Sequence, residues 1–369
     1  MSFETLHEGW VTGPRDAKPD PRVTAGPRVV RHPGGTIVCS FLRQTALGIN
    51  DFQPYLTHSR DNGTTWETAW PAWPQLADRW SIFASLSGDA AGNLYLFGTR
   101  TPIDHSGETF WSDATQGLKQ NELIWAISTD LGRTWSDPHP FAMPIPGSAE
   151  APGPICVTNS GRWLAVYSPY HTFDAKERVE TRSVIVMRSD DRGETWQHAA
   201  MLTFSEPNSN GAEAWVAQLD DGRLVGTGWH IDLAGQAEHP NGYAISDDDG
   251  ATWSPTRSTG TMGQSTALCR TEENRVWFVY NQRKHGTPGV WLALANPTKD
   301  EFKIIDQAIG WQAPETTRSG SSGDHDEWTD FAFGEPSLAV LDDDTLLLVL
   351  WCIQADGKGI RCVRLRHVG

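Results

Sequence analysis

The sequence predicts an all-β fold, a β-propeller of six four-stranded antiparallel blades, and three observations predict it. The pattern S-x-D-x-G-x-T-W occurs four times, as Ser59–Trp66, Ser128–Trp135, Ser189–Trp196 and Ser246–Trp253, at intervals of 69, 61 and 57 residues. Self-similarity at this period marks stacked or radial supersecondary units. A second unit, apolar strand, polar turn, apolar strand, occurs six times, with turn centres at Gly35, Gly92, Gly161, Gly222, Asn274 and Asp344. Finally, 18 Trp, 35 Gly and 23 Pro in 369 residues suit many short strands and tight turns rather than helices.

Each element follows from these units. The hairpins are Arg28–Phe41, Ala84–Phe97, Pro154–Tyr167, Trp215–Gly228, Ala267–Tyr280 and Ser337–Leu350, one per blade. In blades 1 to 4 the S-x-D-x-G-x-T-W turn follows the hairpin, which places it between the third and fourth strands. Its Asp can bond nearby backbone N–H groups, and its Gly takes φ > 0. Thr and Trp then start a strand, with the indole over the turn. Blade 5 keeps only a relic, Ala295–Asp300, and blade 6 reaches Gly369 with too few residues for four strands. Its missing strand is expected from the N-terminus, around Glu4–Val11. Joining both chain ends in one blade removes a free sheet edge. Residues 1–369 read as one domain, because a propeller's length is blade count times blade size. Arg15–Arg22 and Thr316–Asp326 read as loops, the second a candidate flap over the channel mouth.

The formal net charge of -16 argues against a nucleic-acid or anionic-membrane partner. A small acidic ligand in a local basic pocket stays possible. No apolar run approaches a membrane span, and the N-terminus lacks the basic and apolar regions of a signal peptide. Five scattered cysteines (Cys39, Cys156, Cys269, Cys352 and Cys362) form no CxxC pair. They are expected as free, buried thiols in a reducing, cytoplasmic setting. Asp324-His-Asp-Glu327 lacks metal-ligand spacing, and no phosphate-binding loop occurs, so neither metal nor cofactor is expected.

Register against the hairpin turns indicates who stands at the mouth. Nine residues before the turn centres lie Gly26, Phe83, Pro152, Glu213, Ser265 and Glu335. Two carboxylates thus start the inner strands of blades 4 and 6 and should face one central space. Eight or nine residues after the turns stand Arg43, Arg100, Tyr170, His230 and Arg283, and seven after stand Trp229 and Trp351. Arginines beside carboxylates suit a polar ligand, and flat indoles suit sugar faces. The competing reading for the arginines is that they pair with loop carboxylates and hold the rim together.

The S-x-D-x-G-x-T-W pattern is the Asp box, and with it the chain resembles the sialidase superfamily of six-bladed β-propellers. The resemblance implies that the boxes lie at the blade periphery, away from the active site. Glu213-Ala-Trp-Val-Ala-Gln-Leu-Asp-Asp-Gly-Arg-Leu-Val225 is similar to the family's E-x-x-V-x-E-L-x-D-G-R-L-L. Glu213 thereby falls on the glutamate that activates a tyrosine nucleophile. Asp51, in the loop before the first box, stands near the family acid/base. Other family positions differ. The nucleophilic tyrosine position holds Glu335, the first carboxylate-binding arginine is Gly26, the second is Trp229, and the third has only Arg283 nearby.

A glycoside hydrolase using Glu213 and Glu335, with Asp51 in support, is the expectation, since two facing carboxyls are the commonest glycosidase apparatus. Its substrate is a small carbohydrate or oligosaccharide, acidic like a uronate, or neutral. A true exo-α-sialidase is one alternative. Another is a uronate-glycan lyase, with His230 or Tyr170 as base and Arg100 or Arg283 neutralising the carboxylate. The third is a non-catalytic glycan-binding propeller.

Overall fold

The computed structural model describes residues 2–13, 22–235, 237–318 and 329–368. Most of the loop at 15–22, the Asp324–Glu327 cluster and the candidate flap from residue 319 onward lie outside them.

Six four-stranded antiparallel sheets form the ring, hydrogen-bonded from inside to outside in chain order except in blade 6, whose outermost strand comes from the N-terminal segment. The innermost strands are Val23–Arg31, Trp80–Gly88, the broken pair Ser148–Glu150 and Cys156–Val157, then Ser209–Gln218, Gln264–Thr271 and Phe333–Val340. The second strands are Ile37–Gln44, Leu94–Pro102, Trp163–Tyr170, Leu224–Asp232, Arg275–Gln282 and Leu346–Gln354. All six anticipated turn centres take positive φ, from 57° at Asn274 to 90° at Gly222. That conformation costs a glycine little, and Asn and Asp tolerate it best among other residues.

The N-terminal strand Ser2–Thr12 pairs antiparallel with Gly357–Val368 and becomes the outermost strand of blade 6. Glu8 pairs with Arg361 and Glu4 with Arg366 across this seam. The seam joins the two chain ends as expected, over a slightly longer stretch.

The four Asp boxes share one bonding scheme. In the first, Ser59 Oγ donates to Asp61 Oδ1 at 2.8 Å and accepts from Gly63 N at 2.9 Å. Asp61 also accepts from Thr65 N and Thr65 Oγ1, and the Trp66 indole donates to Gly63 O. The residue before each glycine (Asn62, Leu131, Arg192 and Asp249) also has positive φ, so two left-handed residues run in succession. Between blades, apolar faces interlock: Phe278, Val279 and Leu292 of blade 5 share one cluster with Val225 and Ile245 of blade 4 and Leu348 and Phe333 of blade 6. Burying such side chains is the main force closing the ring.

The described residues contain no α-helix, only 3-10 turns such as Pro74–Leu76, and no helix long and apolar enough to cross a membrane. The five cysteines are free thiols; Cys39, Cys352 and Cys362 are buried, while Cys156 and Cys269 are half-buried.

Candidate active site

At the start of the inner strand, blades 1, 4 and 6 each carry a β-bulge, between Ala25 and Arg28, Ala212 and Trp215, and Gly334 and Ser337. The bulged residues are Gly26, Glu213 and Glu335, with φ of 54°, 50° and 47°. A bulge re-aims a side chain, and a left-handed glutamate is a strained residue of the kind that gathers at functional sites. Both glutamates line one central cavity of about 210 Å³. Gly26 shows why its position holds no side chain. An added Cβ would meet Leu42 at 3.0 Å, and the Glu335 carboxylate already accepts a 2.9 Å hydrogen bond from Gly26 N.

A third carboxylate joins them, and register counting passed over it. Blade 3's inner strand breaks at Ala151-Pro-Gly-Pro154, and Glu150 stands just before the break, two residues from the expected Pro152. It lines the same cavity and accepts hydrogen bonds from the Glu213 backbone N–H at 3.1 and 3.3 Å. The break itself was the available signal, because Pro-Gly-Pro cannot continue a ladder.

Beneath the glutamates lies Arg28, 2% exposed, which donates to Pro152 O at 3.0 Å, Pro27 O at 2.9 Å and Ser85 Oγ at 3.2 Å. Burial lowers its pKa, against the pull of Glu335, Glu213 and Glu150. Arg283 is the second buried cation. It donates to Gln264 and to the Phe333 carbonyl and stacks on Phe331 at 3.9 Å. Burial lowers its pKa to about 9, so it stays charged at neutral pH.

These charges set the proton count. Three glutamates face two arginines, which leaves one negative charge in excess in a low-dielectric space. The excess is relieved by protonation. Glu150 is raised well above the ordinary carboxylate range, by burial first and then by the Glu213 charge. Glu335 is also raised by burial, but Arg28, the Gly26 N–H, Trp351 and Arg283 pull it back down. Of these two carboxyls, Glu150 is the one held further toward the protonated form.

Of the other expected residues, Tyr170, Trp229, Arg283 and Trp351 line the cavity, whereas Arg43, Arg100, His230 and Asp51 do not. Strand alternation accounts for the first three of these. Residues seven or nine positions past a turn centre face the cavity, as Thr99, Thr101, Gln44 and Tyr170 do. Those eight past face away, since a one-residue shift turns a side chain to the opposite face. Arg43 stacks on Tyr55 at 4.2 Å. Arg100 pairs with Glu122 at 2.7 Å and covers Trp80. His230 bonds Ser209 Oγ at 2.7 Å, stacks between Phe204 and His239, and lines a second, neighbouring cavity. The Asp51 carboxylate turns back onto Thr45, accepting from its N–H at 3.0 Å, while Asn50 and Phe52 on either side reach the cavity.

The remaining wall comes from an insertion in blade 2. Its small hairpin, Trp111–Ser112 against Gly117–Leu118, brings Phe110, Trp111 and Leu118 over the cavity. Lys119 also reaches it, already paired with Glu108 at 2.7 Å and Asp104 at 2.8 Å. Among the described residues no group of three or more His, Cys, Asp or Glu could hold a metal ion.

The fold and the boxes define a class, and comparison with known proteins gives it a name. The chain belongs to the BNR repeat-like domain family, whose model matches residues 109–314. No curated protein matches it. Among solved structures, a Dyadobacter fermentans protein of unknown function is 19% identical over 99% of both chains, with a TM-score of 0.73. The Streptococcus pneumoniae sialidase NanB is 13% identical over 97% of this chain and 70% of that one, at 0.64. The Penicillium chrysogenum α-L-arabinanase, complexed with arabinobiose, is 16% identical over 99% and 98%, at 0.61. At such identities the likeness is one of fold.

Proposed function

We propose that this protein is a glycoside hydrolase acting on a neutral sugar bound in the central cavity. The observation that carries the reading is the trio Glu150, Glu213 and Glu335, brought from three blades into one cavity over two arginines, with one of the three pushed far toward the neutral form. Carboxyls whose environments set their proton affinities apart are the usual acid and base of glycosidic cleavage. Glu150 donates its proton to the leaving oxygen. Glu213, its neighbour, supplies the carboxylate that attacks the anomeric carbon or activates water there. Glu335, fixed by the Gly26 N–H, accepts from sugar hydroxyls and is the alternative carboxylate. Trp229, Trp351 and Trp111 give flat walls for the sugar rings. The fold shared with a sialidase and an arabinanase supports glycosidic chemistry in general.

A neutral substrate follows from the charges. Arg283 and Lys119 are the cations lining the cavity, and both already face acceptors, so little positive potential is left for a sugar carboxylate. This disfavours the acidic-sugar and sialoside expectations. The lyase reading weakens too: burial pushes the Tyr170 hydroxyl well above its ordinary value, which spoils it as a base, and His230 lies outside the cavity.

The test is turnover of a panel of aryl glycosides and neutral oligosaccharides by the wild type and by Glu150→Gln, Glu213→Gln and Glu335→Gln. Losing Glu150 or Glu213 should cut kcat/KM by about 10²–10⁴ with folding intact. Unchanged turnover in both variants would remove the proposal. A fluorogenic sialoside, expected to be inert, checks the substrate class.

A further inference from the structure

Beside the central cavity, between blades 4 and 5, lies a second one of about 120 Å³. Trp229 and Arg283 line both, so the two share a wall. Nothing in the proposed chemistry uses this space. Its lining is polar, and its carboxylates are already met: Glu238 stands against Lys284 at 2.7 Å and against His285, and Asp232 accepts from the Ala234 and Ala237 N–H groups. His239, stacked on His230 with ring centroids 4.0 Å apart, presents a flat ring at its edge. Asn281, also in the lining, is fully buried, and neither its amide nitrogen nor its amide oxygen has a hydrogen-bond partner. A buried amide is almost always satisfied, and an orphaned one at a cavity wall asks for a donor and an acceptor from a guest. An ion supplies only one of the two. A hydroxyl supplies both.

We propose that the second cavity is a subsite for a further neutral sugar unit, so that the substrate is an oligosaccharide spanning both cavities across Trp229. This rests on the function proposed above. The guest needs no net charge, because Glu238 is already met by Lys284 and His285, and Asp232 by backbone N–H groups. It needs paired hydroxyls for the Asn281 amide and the Glu238 carboxylate, and a flat face for Trp229 or His239. A pyranose or furanose ring joined to the unit in the central cavity meets these conditions.

The experiment uses the full chain carrying Glu213→Gln, titrated by calorimetry with arabinose, xylose, mannose and galactose and their oligomers of two to four units. At least one series should bind more tightly as it grows from one unit to three, by about tenfold, the worth of one or two hydrogen bonds. Adding His239→Ala or Glu238→Ala, both at the edge of the lining, should flatten that gain. Asn281→Ala should do the same if it folds, and the two edge variants suffice if it does not. In the active protein the same edge variants should lower the ratio of kcat/KM for the trisaccharide over the aryl monoglycoside. Equal affinity for one unit and three throughout the panel, or a chain-length gain untouched by both edge variants, overturns the subsite. Length-dependent binding by a wild type that cleaves nothing would leave the subsite standing and remove the hydrolase.

Discussion

Asp248, in the rim turn of blade 4, and Glu150, at the mouth, are both carboxylates bonded to backbone N–H groups, yet their proton affinities move in opposite directions. Burial pushes Asp248 up, but Thr252 and Ser246 donors outweigh it and bring it to about 2. Glu150 has its own N–H donor, but it is set into the cavity wall and faces the Glu213 charge, and it rises. The difference shows that ionisation follows a balance: several donors to an exposed carboxylate outweigh its small desolvation, whereas one backbone donor does not offset burial beside another negative charge. The rim uses ionised aspartates to hold turns. The mouth gathers more carboxylates than cations, and that excess raises the proton affinity of Glu150.

The comparison can be broken most forcefully at Glu150. If it is the proton donor, kcat/KM falls as pH rises through its elevated pKa, and Glu150→Gln abolishes that alkaline limb along with about 10²–10⁴ of the rate. A pH–rate profile of the variant checks it, and a limb that persists assigns the proton elsewhere. Next in size is Arg28. Removing it as Arg28→Met leaves three glutamates against one cation, and should cost about 3–5 kcal/mol at neutral pH. The loss should shrink toward pH 5, where the glutamates take up protons, and urea unfolding at both values measures it.

A smaller effect of opposite sign is expected at the strained glutamates. Glu213→Gly and Glu335→Gly relieve a left-handed residue and should raise stability by about 1 kcal/mol. Glu213→Gly should abolish turnover at the same time. A fall in melting temperature for both would mean the strain is not stored there. The smallest effect belongs to the rim. Asp248 is lowered in the folded state, so its contribution is present above its ordinary 3.8 and is lost as pH falls toward about 2. Asp248→Asn should therefore lower the urea midpoint slightly at pH 7, and the gap from wild type should close in that acidic window.

What the sequence disclosed follows the same division. The rim is built from repeats, and repetition makes a local rule visible: six turn centres, four Asp boxes and the borrowed outer strand were all legible because each obeys backbone geometry alone. The mouth is built from exceptions to those repeats. Glu213 and Glu335 were found because they share a register position, although the bulges that aim them inward leave no mark in residue type. Glu150 was missed because Pro-Gly-Pro shifts its blade's count by two. Arg43, Arg100 and His230 were placed one residue out of phase, which in a strand is the whole difference between cavity and rim. Asp51 follows a loop whose bend no periodicity records, and its neighbours Asn50 and Phe52 took the inward positions.

The pairing of Ser2–Thr12 with Gly357–Val368 has a consequence for how the molecule is made. The strand Ser2–Thr12 must wait for Gly357–Val368 before its backbone is satisfied, a loop closure that spans all six blades. Such high contact order slows folding. Until then the segment is an unpaired edge, and its charged Glu4 and Glu8 keep it a poor template for aggregation.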